Sequence, residues 1–578
     1  MKKSVLCIIV FFMIVSIAFS AITAQTVASS KGMVSAASSY AAEVGAQILE
    51  KGGNAIDAAI AVSFALGVVE PYASSLGGEG YAVITMANGE KYAIDFKSMV
   101  PANLTYEKLK ELGTTLSKSK YTAKGALIPG VVAGIQKIYD LGATLPIEDL
   151  LAPSIKLARD GFIVNETFAS VTADAYEKLL ESAPEYLKDM LLWETGDLFK
   201  NEAIAQTYEM LAENGLDCFY NGQIAEDIAA YMEENGGFIT KEDLANYRAL
   251  VSTPLHGTYR GYDLYTTGSP VSGPQLLAVL NILENFNLGL MGAEDPLAIH
   301  IIQQALVLAD VDRRFYISDP VLFDLPIDGF ISKEFARVRM LDLDLNKAMD
   351  PKKYFDKVGD AYPFEEGKTF EDVMLSQLTA TAKTQEDVHE SPSTTHFSVV
   401  DKDGNAVAWT QTLSSFYGTC SFVDGFFLNN EIGNFAGSYR EGDVINLAPG
   451  MKPRTTICPT VIQKDGKVKY VIGTPGGARI ISTVTELIVD LIDFGMTIDE
   501  AVSMPKFVGY AKYSDLPIEE GMPEQTIEVL KAMGHNVSIY SYPDLYFGGP
   551  NVIAVEDSGM MIGAGSIRRN GAASAPEL

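Results

Sequence analysis

The chain has 578 residues, 47 % hydrophobic and 20 % charged, which argues against a disordered polypeptide and implies two or three units or one large layered body. A formal net charge of −30 argues against nucleic acid and anionic membrane surfaces as partners, and any acidic substrate would need a local basic clamp. Four cysteines (Cys7, Cys218, Cys420, Cys458) and five histidines (His256, His300, His389, His396, His535) lack disulfide-framework or metal-ligand spacing, so no metal site is expected.

Residues 1–24 read as a secretory signal peptide. Lys2 and Lys3 precede an apolar run from Val5 to Phe19, and small residues surround a cleavage point between Ser20 and Ala24. The run is shorter than the ~20 residues a spanning helix needs, so cleavage is expected rather than anchoring. The product would be secreted or associated with the cell envelope, with no stable membrane insertion. Two helices follow, the first ended by Gly52-Gly53 and the second by Pro71. "YAVITMANGEKYAIDF" alternates around Asn88-Gly89 and predicts a hairpin. Helical patterns dominate from Pro129 to about Tyr247; "RGYDLYTTGSP" reads as a strand entering a turn, and "GPQLLAVLNILENF" as a buried helix. From about Lys368 to Ser393 the chain is polar and aperiodic, which predicts a flexible tail. Beyond it come strands ("THFSVVD", "AVAWTQTL", "DGFFLNN", "CPTVIQ", "KVKYVIGTPG"). An amphipathic helix follows, with Ile480, Val484, Leu487 and Leu491 as its buried stripe and Gly495 as its cap. A last helix, "PEQTIEVLKAMG", and two strands close the chain. Runs of strands flanked by helices predict a layered α+β body.

Thr394 stands where the polar segment becomes a strand. A threonine hydroxyl is a weak nucleophile until a base takes its proton, and a residue's own α-amine, pKa about 7.7–8.0, serves when that residue begins a chain. Cleavage before Thr394 would create nucleophile and base together. The turn within "DKDGN" leaves two registers open. A two-residue loop sets Thr412 opposite Thr395; a three-residue loop with Gly404 left-handed sets it opposite Thr394. In "YVIGTPGGARII" the N–H groups of Gly476 and Gly477 precede a helix, a place for an oxyanion. Thr455 and Thr456 are paired hydroxyls, and Arg568-Arg569 is a basic pair able to clamp a carboxylate. "LGGEGYAVI" lacks the strand-to-helix context of a dinucleotide loop.

These segments, with "EKGGNAIDAAIAVSFALGVVEP", "LARDGFIVN", "LNNE" and "TPGGARI", resemble the γ-glutamyltranspeptidases (glutathione hydrolases) over nearly the whole chain. The resemblance implies a four-layered αββα fold of the N-terminal nucleophile hydrolase type, no cofactor, and a precursor that cuts itself. The large subunit would be residues 25–393 with a flexible C-terminal tail, and the small catalytic subunit residues 394–578. It also implies roles: Thr394 as nucleophile, Thr412 contacting its amine, Gly476 and Gly477 as oxyanion hole. Thr455 and Thr456 would hold the substrate α-carboxylate and Glu431 its α-ammonium. Three positions depart from the common family pattern. Asn434 stands where Asp is frequent, Ser414 where Asn is frequent, and Lys97 where an Arg binds the carboxylate. "GFFLNN", Asn434, "FGG" at Phe547 to Gly549 and the ending "GAG..RRNG" lean toward the capsule poly-γ-glutamate depolymerase/transpeptidase branch, in which Arg569 matches an active-site arginine. The expected function is a γ-glutamyl hydrolase/transferase acting on glutathione-like compounds or poly-γ-glutamate, with water or an amine as acceptor. A β-lactam side-chain acylase of the same fold and an unprocessed binding protein are the alternatives.

Overall fold

The computed structural model describes residues 23–376 and 393–577. The signal peptide, apart from its last two residues, and most of the polar tail lie outside them. Two antiparallel seven-stranded sheets form the centre. The first has the order Ala572–Ser574, Gly32–Ala36, Thr395–Asp401, Ala406–Thr412, Glu79–Thr85, Lys91–Phe96, Leu250–Ser252. The second runs Thr26–Ser29, Met561–Gly565, Asn551–Val555, Lys467–Ile472, Thr460–Lys464, Tyr262–Thr266, Leu255–Tyr259.

Strand residues alternate between two dry faces, because both sheets are covered on both sides. Val83, Val400, Ala408, Val461, Val471 and Ile553 fill the space between the sheets. The outer face of the first sheet packs on helices Ser39–Glu50 and Ala55–Val69, with Phe397 and Trp409 in that core. The outer face of the second packs on helices Gly273–Leu283, Pro296–Tyr316 and Ile480–Ile492. This is the αββα sandwich, an α+β fold.

Helix Ala55–Val69 is buried along its whole length, so its polar groups must be satisfied internally. Asn54 caps it by accepting from Ile56 N and Asp57 N, and Asp57 returns a bond from Asn54 N at 2.8 Å. The remaining oxygen of Asp57 accepts from Thr144 N and Leu145 N. Ser63 donates to Gln411 in the central strand at 2.8 Å, tying this helix to the middle of the first sheet.

Two expectations change. Phe370–Ser376, read as part of a structureless tail, is a helix: Phe370 N donates to Glu334 and the Arg337 guanidinium lies over the Phe370 ring at 4.3 Å. Phe370, Val373 and Met374 stand at i, i+3 and i+4, but two turns inside a polar stretch are too short for a period to register. The C-terminal region holds more strands than the two read from sequence. Leu516–Glu519 pairs in parallel with Val537–Tyr540, and Ala572–Ser574 borders the first sheet. These strands are four residues or fewer, too short for alternation to register.

Candidate active site

Strands Thr395–Asp401 and Ala406–Thr412 are joined by a three-residue loop. Val400 faces Ala406, Asp401 N donates to Asn405 O, and Gly404 has φ 92°. Asp401 fixes the loop by accepting from Asp403 N and Asn405 N. Of the two registers, the longer loop is the one formed. Thr395 lies opposite Gln411, so Thr394 meets Thr412.

The two hydroxyls are 3.2 Å apart, both side chains buried, and the chain is continuous through Ser393. Thr412 Oγ1 donates to Ser393 O at 2.6 Å, and Thr394 Oγ1 also reaches that carbonyl. Thr412 Oγ1 accepts from Ser414 N at 2.9 Å, which orients its proton toward Ser393. The carbonyl before Thr394 is therefore polarised by a neighbouring hydroxyl, with the Thr394 oxygen beside it. That gives Thr412 a contact in the intact chain that differs from the expected one to a free amine.

Three glycines explain how the strands come so close. A Cβ on Gly77, Gly78 or Gly80 would sit 2.2–2.5 Å from Phe427 O, Thr412 O or Thr410 O. The motif "LGGEG" thus serves close backbone approach, not phosphate binding.

Ser393, Thr394, Thr412, Ser414, Glu431, Asn434, Thr455, Thr456 and Gly477 line one cavity of about 20 Å³. Such a volume holds about one water and no acyl group. Glu431 and Asn434 lie on one 3₁₀ turn, and Asn434 Nδ2 donates to Glu431 Oε2 at 2.6 Å. Lys97 Nζ approaches Thr455 Oγ1 at 3.3 Å and Glu431 Oε2 at 3.8 Å, and is ion-paired with Glu79. Thr455 and Thr456 divide their work: Thr455 faces Lys97, while Thr456 donates to Gly477 O at 2.7 Å and anchors the glycine turn.

Gly476 has φ 144° and Gly477 φ 54°, a reversal only glycine makes cheaply, leading into helix Ile480–Ile492. Among the described residues nothing accepts from either N–H. "FGG" backs this turn. Gly549 N donates to Thr474 Oγ1, and a Cβ on Gly548 would strike Pro475 O.

Arg569 is placed differently from a substrate clamp. Its guanidinium reaches Thr394 O and pairs with Glu70 at 3.3 Å, beneath the strand and outside the cavity lining. Glu70 also accepts from Thr395 Oγ1 at 2.8 Å and from the Tyr72 hydroxyl at 2.9 Å. Burial, then the Glu70 charge, pushes the Tyr72 phenol well above its usual range, so it stays a donor. Arg569 thus positions the Thr394 backbone. Arg568 binds Glu519 and two backbone carbonyls, so it does not join Arg569 in a carboxylate clamp.

Sequence reading missed Glu70 and Glu79. Each is a lone carboxylate at the edge of an apolar run ("VVEP", "GGEGYAVI"), a signal that a buried charge has a partner. His396, two residues after Thr394, bonds Thr410 and Ser398, and burial holds its imidazole down at about 3, neutral and outside proton transfer. Among the described residues no three His, Cys, Asp or Glu side chains gather to hold a metal, and no helix is long and apolar enough to cross a membrane.

The sandwich with a threonine at the head of a central strand defines an N-terminal nucleophile hydrolase. The γ-glutamyltranspeptidase family profile matches residues 41–576, and the chain belongs to that family of enzymes. It is 37 % identical over 555 residues to the glutathione hydrolase proenzyme of Escherichia coli (strain K12), covering 93 % of this chain and 90 % of that protein. It is 32 % identical over 558 residues to the Acylase ACY 1 proenzyme of Pseudomonas sp. (strain SE83), covering 94 % and 93 %. The structure of a cephalosporin acylase from Bacillus halodurans matches with a TM-score of 0.84 at 25 % identity, over 96 % of this chain and 97 % of that one.

Proposed function

We propose that the chain is a secreted precursor that cuts itself before Thr394 and then hydrolyses or transfers γ-glutamyl groups. The observation that carries this is the contact of Thr412 Oγ1 and Thr394 Oγ1 with the single carbonyl of Ser393. Thr394 Oγ adds to the Ser393 carbonyl carbon while Thr412 supports the developing oxyanion. The C–N bond breaks, the Thr394 nitrogen takes a proton, and an ester joins Ser393 to Thr394 Oγ. Water hydrolyses that ester, leaving a Ser393 carboxylate and a free Thr394 amine.

In turnover the same oxygen attacks the γ-amide carbonyl and the Thr394 α-amine takes its proton. The Gly476 and Gly477 N–H groups receive the oxyanion, a contribution worth ~3–4 kcal/mol per donor in comparable sites. The amine leaves with the proton, and water or an amine acceptor releases the γ-glutamyl ester. Glu431 and Asn434 take the ammonium of the donor, with Ser414, Lys97, Thr455 and Thr456 around its carboxylate. The large part, residues 25–393, and the small part, residues 394–578, remain together as subunits.

The donors we propose are small γ-glutamyl amides, glutathione included, by analogy with the Escherichia coli relative. Poly-γ-glutamate is the second donor, on the strength of Asn434, "GFFLNN" and "FGG". Its weak point is Arg569, whose guanidinium is already engaged by Glu70 and Thr394. The acylase reading is favoured by the likeness to Acylase ACY 1. Purified enzyme should release cysteinylglycine from glutathione, and Thr394→Ala should remain one uncut chain without activity. Shortening of poly-γ-glutamate with glutathione untouched would assign the polymer instead. Release of a glutaryl but no γ-glutamyl group would assign the acylase.

A further inference from the structure

Two buried side chains on the lining of the Thr394 cavity carry a polar atom with no hydrogen-bond partner among the described residues: Ser393 Oγ and Asn434 Oδ1. Buried polar atoms are nearly always satisfied, by protein or by ordered water. The cavity, about 20 Å³, has the size for one water, and a buried water needs two to four polar partners. The Asn434 amide is fixed in orientation, because its Nδ2 donates to Glu431 Oε2 at 2.6 Å, so Oδ1 is the end left to accept. Glu431 lines the same cavity from the same 3₁₀ turn and is fully buried. Lys97 Nζ lies 3.8 Å from its Oε2, and the Lys120 side chain packs against Gly433 of that turn. Ser393, whose carbonyl accepts from Thr412 Oγ1 and Thr394 Oγ1, is part of this lining.

We propose that this cavity holds the water that completes self-cleavage, with Glu431 as the base that takes its proton and Asn434 as the residue that orients it. This rests on the reading of Thr394 as the residue that forms an ester with Ser393. The water donates one hydrogen to Asn434 Oδ1 and the other to the Glu431 carboxylate, which leaves its lone pairs for Ser393. Its oxygen bonds to the Ser393 carbonyl carbon as Glu431 takes the proton. The bond from that carbon to Thr394 Oγ then breaks, and the proton on Glu431 passes to the departing Oγ. The new Ser393 carboxyl group gives its own proton to the Thr394 amine, so Glu431 ends as a carboxylate again. In turnover Glu431 and Asn434 meet the ammonium of the donor where the water stood. Glu431 thus acts once as a base and afterwards as a binding group.

The test follows full-length precursor from cell-free synthesis on a denaturing gel, with and without hydroxylamine, a nucleophile that opens an ester without help from a base. Glu431→Gln should cut about a hundredfold more slowly than wild type, within the usual worth of a general base. Hydroxylamine should restore its cutting and leave a large chain that ends, by mass, in a Ser393 hydroxamate. Asn434→Ala keeps the carboxylate and loses the orienting acceptor, so it should slow by about tenfold and be restored in the same way. If Glu431→Gln lacks the wild-type unfolding transition, Asn434→Ala decides. Cutting at the wild-type rate in the deciding variant overturns the proposal, and in Glu431→Gln it would make the Thr394 amine the base. Slow cutting that hydroxylamine does not restore, in a variant with the wild-type unfolding transition, overturns it too. Thr394→Ala keeps the two readings apart, because it should stay whole in both conditions. A Thr394→Ala precursor that hydroxylamine cuts before residue 394 would count against the ester at Thr394 itself.

Discussion

In the proposed mechanism one hydroxyl, that of Thr394, has two tasks, first on its own preceding carbonyl and then on a substrate. Thr412 is the side chain that would distinguish them, because in the intact chain it donates to Ser393 O. Thr412→Val removes that donor and should slow self-cleavage by roughly ten- to a hundredfold, the range for a hydrogen bond to a developing charge. Thr412→Ser keeps the hydroxyl and should cut at a rate close to wild type. The time course of the two bands on a denaturing gel decides it, and equal rates for Val and wild type would remove Thr412 from the cut. A second residue-scale prediction concerns pH. With its pKa pushed down to about 3, His396 is neutral throughout the working range. The acid limb of kcat/KM should then report the Thr394 amine, whose free value is about 7.7–8.0. Activity falls as pH drops through that pKa and the base is protonated. The inflection should stay in place in His396→Gln whatever the absolute rate, and its disappearance would make His396 the base.

At the scale of elements, the hairpin and the glycine run act together. The three-residue loop fixes the register that sets Thr412 opposite Thr394, and Gly78 lets the neighbouring strand pass close to the Thr412 carbonyl. Gly78→Ala places a Cβ about 2.5 Å from Thr412 O, so the strand must move. Self-cleavage should fall by roughly tenfold or more, since a displacement of ~1 Å at reacting groups costs about a hundredfold. Gly404→Ala meets nothing within 4 Å, so its cost is conformational alone. It should lower thermal stability slightly and leave the cut intact. A Gly78→Ala precursor that cuts at the wild-type rate would show that the close approach is not needed. The long periodic elements were legible in sequence: both early helices, the Asn88-Gly89 hairpin, and helix Ile480–Ile492 with its glycine cap. The register of the hairpin after Thr394 was narrowed to two choices but not decided, because both loops fit "DKDGN". The short strands after Ser503 were missed for lack of period. Arg569 was assigned a ligand-facing role because sequence says which charges exist, not which of them are already paired; Glu70 is far from it in the chain.

At the scale of the whole molecule, the two parts of the precursor are interleaved. Strands Thr395–Asp401 and Ala406–Thr412 sit in the middle of the first sheet between Gly32–Ala36 and Glu79–Thr85. In the second sheet Thr26–Ser29 closes one edge, and Tyr262–Thr266 with Leu255–Tyr259 the other. A cut before Thr394 therefore breaks one bond and leaves two hydrogen-bonded sheets and a shared core intact. The cleaved protein should elute as one species containing both chains, separable only in denaturant. Spontaneous separation in dilute buffer would contradict this packing. The claim on which the rest depends is the position of the cut, and the most direct measurement is N-terminal sequencing of the smaller band from active, purified protein. By its share of the 62.4 kDa chain, that band should be about 20 kDa and begin Thr-Thr-His-Phe. An active preparation whose small chain begins elsewhere, or that holds only full-length chain, would contradict the account.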